Sequence, residues 1–103
     1  MKIISNIQEF NTLINGDKAV VIDFFATWCP PCKSIGPKFI KMSEEHPDVL
    51  CVKVDVDELQ QAAAQVGVSA MPTFMAFKRG QKIGEVVGAN ENAIRALVMK
   101  AKQ

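Results

Sequence analysis

The two residues of this chain best suited to covalent chemistry are Cys29 and Cys32, which are separated by two prolines. Thiols at this spacing can close a disulfide without large backbone movement. The other common use of a close cysteine pair in a reducing compartment is metal binding. An apolar run precedes the pair and a helical pattern follows it. Cys29 is therefore expected at the start of a helix, near the N-cap, with Cys32 at the third helical position.

The start of a helix is expected to make Cys29 an acidic thiol. An N-cap side chain can accept a hydrogen bond from the backbone N–H three residues later, here that of Cys32. The helix dipole also favours an anion there, and such positions lower a cysteine pKa from about 8.5 toward neutrality. Pro30 and Pro31 suit the first two helical positions, whose N–H groups a helix leaves unpaired anyway. The pattern predicts a nucleophilic Cys29 and a more buried Cys32 that resolves the mixed disulfide.

A lone carboxylate, Asp23, lies inside the apolar run of residues 19–25. Burial without a partner is costly and raises the pKa of a carboxyl group. Asp23 is thus a candidate proton acceptor for the second thiol near neutral pH. The alternatives are a structural pair with a lysine, or a carboxylate that faces a water-filled gap.

The elements that position these residues follow from periodicity and turn signals, in the order β-α-β-α-β-α-β-β-α. A capping box of Ser5 and Gln8 is expected at the start of the first helix. Asp57 is expected to cap the third helix and Asn90 the last. The strands are predicted over residues 3–4, 19–25, 49–54, 73–77 and 82–87, and the middle helices over 31–46 and 58–65. Strand–helix–strand connections imply parallel neighbours, while the last two strands must be antiparallel. The pattern predicts an α/β fold: a mixed sheet of about five strands with four helices on its two faces.

Composition limits the possible functions. The chain has 103 residues, of which 49% are apolar and 22% charged, as in one globular domain over residues 1–103. Twelve basic and eleven acidic residues leave a net charge of +1, which gives no electrostatic footprint for nucleic acid or an anionic membrane. No signal-peptide or membrane-spanning run is present. We expect a soluble cytoplasmic protein whose three cysteines are too few for a disulfide scaffold.

The segment from Phe24 to Lys33, centred on Trp28-Cys29-Pro30-Pro31-Cys32, resembles the active-site segment of the thioredoxin family. Further matches extend over nearly the whole chain: Asp23, Pro37, Lys53, Asp57, Met71-Pro72-Thr73, Gly80 and Val87-Gly88-Ala89. The resemblance implies a thioredoxin fold and a protein disulfide reductase. Two residues depart from the family pattern: Pro30 stands where glycine is usual, and Phe25 where tryptophan is frequent. Residues between the cysteines influence which redox state is favoured.

The resemblance also implies functions for the residues around the cysteines. It assigns Asp23 to proton transfer with Lys53 nearby, and Pro30, Pro31 and Lys53 to redox tuning. It implies a cis peptide bond before Pro72, where the sequence alone favours an ordinary trans proline that opens a strand. The implied substrate-binding residues form an apolar rim with Pro31: Trp28, Met71, Pro72, Val87, Gly88 and Ala89. Among these, Val87 fits the sheet interior equally well.

By the same resemblance, electrons come from NADPH through a flavoprotein thioredoxin reductase, and the chain needs no bound cofactor. Disulfide-containing proteins are the expected substrates, and a monomer the expected state. Three alternatives stay open: a disulfide oxidase or isomerase of the same fold, a zinc or copper site built on Cys29, Cys32 and Cys51, and a non-enzymatic binding module. Cys51 itself is expected to be a small buried apolar residue of a strand.

Overall fold

The fold is a central sheet with helices against both faces, and the computed structural model describes residues 1–103. The elements are β1 (Lys2–Ile3), α1 (Ile7–Ile14), β2 (Val20–Phe25), α2 (Pro30–Glu45), β3 (Leu50–Asp55), α3 (Gln60–Val66), β4 (Thr73–Lys78), β5 (Gln81–Val87) and α4 (Glu91–Ala101). The element order is the one predicted from the sequence. None of the helices combines the length and apolar character that a membrane span requires.

The five strands lie in the order β1-β3-β2-β4-β5, so that β2 is central. Strand β3 runs parallel to both β1 and β2, whereas β4 is antiparallel to β2 and β5 is antiparallel to β4. This arrangement confirms the predicted mixed sheet. The register places Asp23 of β2 beside Lys53 of β3 and Phe74 of β4.

Two apolar clusters hold the helices to the sheet, one on each face. Alternate residues of β2 point to opposite faces. Val20, Ile22 and Phe24 join the cluster with Phe10 of α1 and Ala62 of α3. On the other face, buried residues of α2 and α4 pack against Val21 of β2 and Phe74 of β4. These helix residues include Phe39, Met42, Ile94 and Val98. Because Asp23 alternates with Phe24 along β2, its side chain lies on the face covered by α2.

The predicted start of α1 was wrong by one residue. Asn6, not Ser5, is the N-cap, and its side chain accepts a hydrogen bond from the Glu9 backbone N–H at 2.8 Å. The predicted capping box with Gln8 is therefore not formed. Serine and asparagine both cap helices well. Asn6 is the cap because it has the extended backbone conformation directly before the first helical residue.

The predicted start of α3 was also wrong, since Asp57 does not cap it. Helix α3 begins at Gln60, after Leu59, which makes no side-chain cap. Asp55 instead closes the preceding turn, because its carboxylate accepts from the N–H groups of Asp57 and Glu58. The last helix begins as predicted, with the Asn90 side chain accepting from the Ala93 N–H at 3.0 Å.

The hairpin between β4 and β5 forms where the sequence indicates it. Arg79 and Gly80 both have positive φ angles, 52° and 77°, as a tight two-residue turn requires. The Gly80 N–H donates to the Ile14 carbonyl oxygen at 2.8 Å, which ties this end of the hairpin to α1. The hairpin turn lies at one end of β4, and the carboxyl end of β2 pairs with the other end.

Candidate active site

Cys29 and Cys32 are joined by a disulfide at the N-terminus of α2, with their Cα atoms 5.3 Å apart. Cys29 is the N-cap, and its sulfur accepts a hydrogen bond from the Cys32 N–H at 3.3 Å. This is the contact expected from the sequence. Pro30 and Pro31 occupy the first two helical positions, as expected for a helix capped by Cys29, so α2 begins one residue before the predicted span of residues 31–46. The helix thus directs at one sulfur an N–H group that has no partner within the helix, together with the positive end of its dipole.

The two cysteines are similarly buried in the disulfide form. Cys29 is 3% exposed and Cys32 5% exposed. Both pack with Ala26 in the apolar cluster that also contains Phe10 of α1 and Phe24 of β2. The expectation that Cys32 would be the more buried residue is wrong for this state. The chain turns back at Ala26, whose carbonyl oxygen accepts from the Cys29 N–H at 3.3 Å, and this turn draws Cys29 against the core.

Asp23 is fully buried, and neither of its carboxylate oxygens has a hydrogen-bond partner. Burial raises its pKa from 3.8 to about 7, while the positive charge of Lys53 on the adjacent strand opposes part of that rise. A carboxyl group with this pKa can hold or release a proton near neutral pH.

A cavity of about 230 Å³ opens beside the cysteine pair. Its lining comprises Phe25, Ala26, Thr27, Cys32, Lys33 and Lys53. The Lys53 ammonium lies 4.4 Å from the centre of the Phe25 ring, a cation–π contact. The cavity therefore brings the second cysteine together with a positive charge that acts on Asp23.

The residues expected on the rim lie at the end of the sheet where β2 leads into α2. Phe24 near the end of β2 pairs with Thr73, and Thr73 pairs with Val87. The Met71–Pro72 peptide bond is cis, as expected. The Pro72 carbonyl oxygen accepts from the Gly88 N–H at 2.8 Å, which joins the two segments that flank the site.

Exposure separates the rim residues. Trp28 and Val87 are 63% and 59% exposed, which is unusual for large apolar side chains. Pro31 and Ala89 are also exposed, Met71 and Gly88 are half-buried, and Pro72 is buried. The exposure of Val87 rules out the sheet-interior alternative for its side chain.

Sequence reasoning missed one contact of this rim. The Trp28 indole N–H donates to the Asp57 carboxylate at 2.8 Å, so Asp57 fixes the ring across the active-site turn instead of capping α3. The two residues are far apart in the sequence, and only the return of β3 to the same edge of the sheet brings them together. An indole that needs a hydrogen-bond partner was the available signal.

Comparisons with known proteins identify the family. The thioredoxin family model matches residues 2–100. The chain is 49% identical to thioredoxin-1 of Schizosaccharomyces pombe over 98 residues, which is 95% of each chain, and 51% identical to human thioredoxin over 83 residues, covering 81% of this chain and 79% of the human protein. This chain belongs to the thioredoxin family. The crystal structure of Malassezia sympodialis thioredoxin superimposes with a TM-score of 0.96 at 48% identity, covering all of this chain and 91% of the other.

Membership in the thioredoxin family, together with the Cys29–Cys32 disulfide, makes the chain a protein disulfide oxidoreductase that acts on disulfide substrates. The oxidase or isomerase alternative and the non-enzymatic alternative are not favoured. No three His, Cys, Asp or Glu side chains are grouped where they could hold an ion. Cys51 is a free buried thiol in the cluster on the α2 face, whereas the cysteine pair belongs to the other cluster. Like other thioredoxins, the chain needs no bound cofactor.

Proposed function

We propose that the protein reduces protein disulfides by a two-step exchange in which Cys29 is the nucleophile and Cys32 the resolving thiol. The observation that supports this assignment most is the hydrogen bond from the Cys32 N–H to the Cys29 sulfur at the start of α2. The N–H group and the helix dipole favour the thiolate of Cys29 over that of Cys32. A thiolate is the form of cysteine that attacks disulfides.

In the first step, the Cys29 thiolate attacks one sulfur of the substrate, and the substrate S–S bond breaks. One substrate sulfur leaves as a thiolate and takes up a proton, and the other stays bonded to Cys29. In the second step, the Cys32 thiolate attacks the Cys29 sulfur and the second substrate thiolate leaves. The substrate gains two electrons and two protons, and the protein is left with the Cys29–Cys32 disulfide.

Asp23 is the group that we propose to accept the Cys32 proton before the second step. Its raised pKa, about 7, lets the ionised and protonated forms coexist near neutral pH. Lys53 acts on this carboxylate from the neighbouring strand, and Cys32 and Lys53 line one cavity. Redox tuning by Pro30 and Pro31 is supported by their position in the first turn of α2, where they stiffen the segment between the sulfurs.

The exposed apolar rim is the proposed substrate surface. Trp28 and Val87 offer apolar area that the fold itself does not use. Met71, Gly88 and Ala89 belong to loop segments that flank the cysteines. The Gly88 N–H already donates to the Pro72 carbonyl oxygen, so the backbone groups of Met71 and Ala89 are the ones offered to an extended substrate chain. Because the rim must stay open to different proteins, we propose that the chain acts as a monomer.

The proposed electron donor is NADPH, acting through a flavoprotein thioredoxin reductase. Each cycle then transfers two electrons from NADPH to the Cys29–Cys32 disulfide and regenerates the dithiol. The cytoplasm is the proposed compartment. Its reducing conditions suit a cysteine pair that must be returned to the dithiol, and they also suit the free buried thiol of Cys51. Imaging of the tagged protein in its own cells tests the location.

The experiment that tests this proposal follows NADPH oxidation with thioredoxin reductase and insulin as the disulfide substrate. Wild type is expected to turn over, Cys29→Ser to be inactive, and Cys32→Ser to accumulate a mixed disulfide with the substrate. Cys51→Ala is the matched control, since it removes a thiol outside the site, and it should keep full activity. Turnover by Cys29→Ser, or a mixed disulfide trapped on Cys29→Ser instead of Cys32→Ser, would overturn the assignment.

A further inference from the structure

Phe25 and Lys53 contact each other at the end of the sheet where β2 leads into α2, and Phe25 also packs against the cluster that contains Cys32. Asp23 and Phe25 are two residues apart in β2, so their side chains point to the same face. Lys53 is the register partner of Asp23 in the parallel strand β3 and shares that face. The three side chains therefore form one group next to the start of α2.

The Lys53 ammonium is held there without a carboxylate partner. No ion pair of the structure includes Lys53, and the Asp23 oxygens accept no hydrogen bond. The contacts that remain are the Phe25 ring, 4.4 Å from the ammonium, and Gly36 of α2, where a Cβ would lie 3.9 Å from it. A lysine side chain has several rotatable bonds and prefers water at its tip, so a contact is needed to keep it turned inward.

Gly36 lies one helical turn after Cys32, so it is on the same side of α2 as that cysteine. The cavity lining joins Phe25, Cys32 and Lys53. The ammonium thus lines the cavity together with the resolving thiol, and its charge acts on the buried carboxylate of Asp23. A positive charge in this place stabilises the ionised form of both groups.

We propose that Phe25 is a positioning residue for the reduction cycle: its ring holds the Lys53 ammonium inside the cavity, where the charge promotes proton transfer between Cys32 and Asp23. This inference rests on the proposed function of Asp23. The Phe25 ring attracts the Lys53 ammonium because the face of its π system carries partial negative charge. The ammonium also lies close to Gly36 of α2. An aliphatic residue of similar size fills the same space without holding the charge.

The other groups packed around Asp23 leave Lys53 as its principal charged neighbour. Strand β4 places Phe74 beside it, and α4 contributes the apolar side chains of Ile94 and Val98 to this face. From α2, the titratable groups that reach the cavity are Cys32 and Lys33, and Lys33 is exposed. Displacement of the Lys53 ammonium should therefore be visible in the titration of Asp23.

The test measures the pKa of Asp23 by NMR of its carboxyl carbon in the oxidised protein, in which Cys29 and Cys32 do not titrate. Phe25→Leu is expected to raise this pKa by about half a unit above the wild-type value, because an ammonium that turns toward solvent no longer offsets part of the cost of burying the Asp23 charge. Phe25→Trp is the conservative variant, since a half-buried position beside a cavity accommodates the larger ring, and it should keep the wild-type value. Phe25→Met is a second ring-free variant, expected to behave as Phe25→Leu.

The same substitution in a Lys53→Met background separates positioning from packing. Without the ammonium, Phe25→Leu should leave the Asp23 pKa unchanged, because no charge remains to be displaced. An equal shift in both backgrounds, no shift in either, or a shift in Phe25→Trp as large as in Phe25→Leu would overturn the proposal. In reduced protein, the pH midpoint of mixed-disulfide resolution should move upward together with the pKa.

The positioning contact of Phe25 and the proton transfer by Asp23 can fail independently of each other. The NMR titration reports on Phe25 and Lys53 without any turnover. If Asp23→Asn resolves mixed disulfides like wild type while Phe25→Leu still shifts the Asp23 pKa, then the proton-transfer function fails and the positioning contact stands. If Asp23→Asn slows resolution and Phe25→Leu shifts nothing, the positioning inference alone fails.

Discussion

Replacing Asp23 with asparagine is expected to stabilise the protein in a pH-dependent way. The wild-type carboxyl group has a pKa of 3.8 in the unfolded chain and about 7 in the folded protein, because burial disfavours its charge. Between these values the folded state binds a proton that the unfolded state has lost. The stability contributed by the protonated group is therefore fully present below pH 3.8 and is lost as the pH rises through about 7.

The size of this effect follows from the shift. One pKa unit corresponds to about 1.4 kcal/mol, so a shift of about three units gives about 4 kcal/mol. The free energy of unfolding of Asp23→Asn minus that of wild type should then rise by about 1.4 kcal/mol for each pH unit in this window and level off above neutral pH. No hydrogen bond to either Asp23 oxygen offsets the cost of the charge.

The assay is denaturant unfolding of both proteins in the oxidised state, over a pH series that brackets the window. All other titrating groups are common to the two proteins and cancel in the difference. Asp17→Asn is the matched control, because that side chain is 91% exposed, and its difference from wild type should stay within about 0.5 kcal/mol at every pH. Parallel stability curves for Asp23→Asn and wild type would refute the assignment of a raised pKa to Asp23.

Three further substitutions or reactions test the fold and the site. Asn6→Ala should lower the free energy of unfolding by about 1 kcal/mol through loss of the α1 cap, whereas Ser5→Ala should change it by less than about 0.5 kcal/mol. Denaturant unfolding measures both, and a larger loss for Ser5→Ala would show that Ser5 is the capping residue. Gly80→Ala should cost about 1–2 kcal/mol, because the residue has a φ of 77° and an added Cβ would lie 2.7 Å from the Asn15 side-chain oxygen; thermal unfolding measures this, and an unchanged midpoint contradicts it. Burial raises the pKa of Cys51 to about 11, so a thiol reagent should modify Cys29 of the folded reduced protein quickly and Cys51 only after unfolding; equal rates at Cys29 and Cys51 would contradict this.

Local patterns predicted the parts of the site that depend on neighbours in sequence. The cysteines, the two prolines and the start of α2 lie within a few residues, so the cap contact between Cys29 and Cys32 followed from spacing alone. Asp23 stood out because a carboxylate in an apolar strand is rare. The cis bond at Pro72 was different, since only the family resemblance indicated it.

Contacts between distant segments could not be read from the sequence. The Trp28–Asp57 hydrogen bond and the Phe25–Lys53 contact both depend on the register between β2 and β3 and on the path of the chain after each strand. Helix ends were uncertain for a related reason. Where two capping residues are adjacent, as at Ser5 and Asn6, the backbone conformation decides between them, and tertiary structure sets that conformation.

The proposed mechanism requires that the start of α2 makes Cys29 a better nucleophile than an ordinary cysteine. The most direct measurement is the pH dependence of iodoacetamide alkylation of Cys29 in reduced protein, compared with a synthetic peptide of residues 27–34 that has the same cysteines but no folded helix. The rate for the protein is expected to reach half its maximum at a clearly lower pH than the rate for the peptide. Coincident pH profiles would show that the helix does not activate this thiol, and would contradict the mechanism.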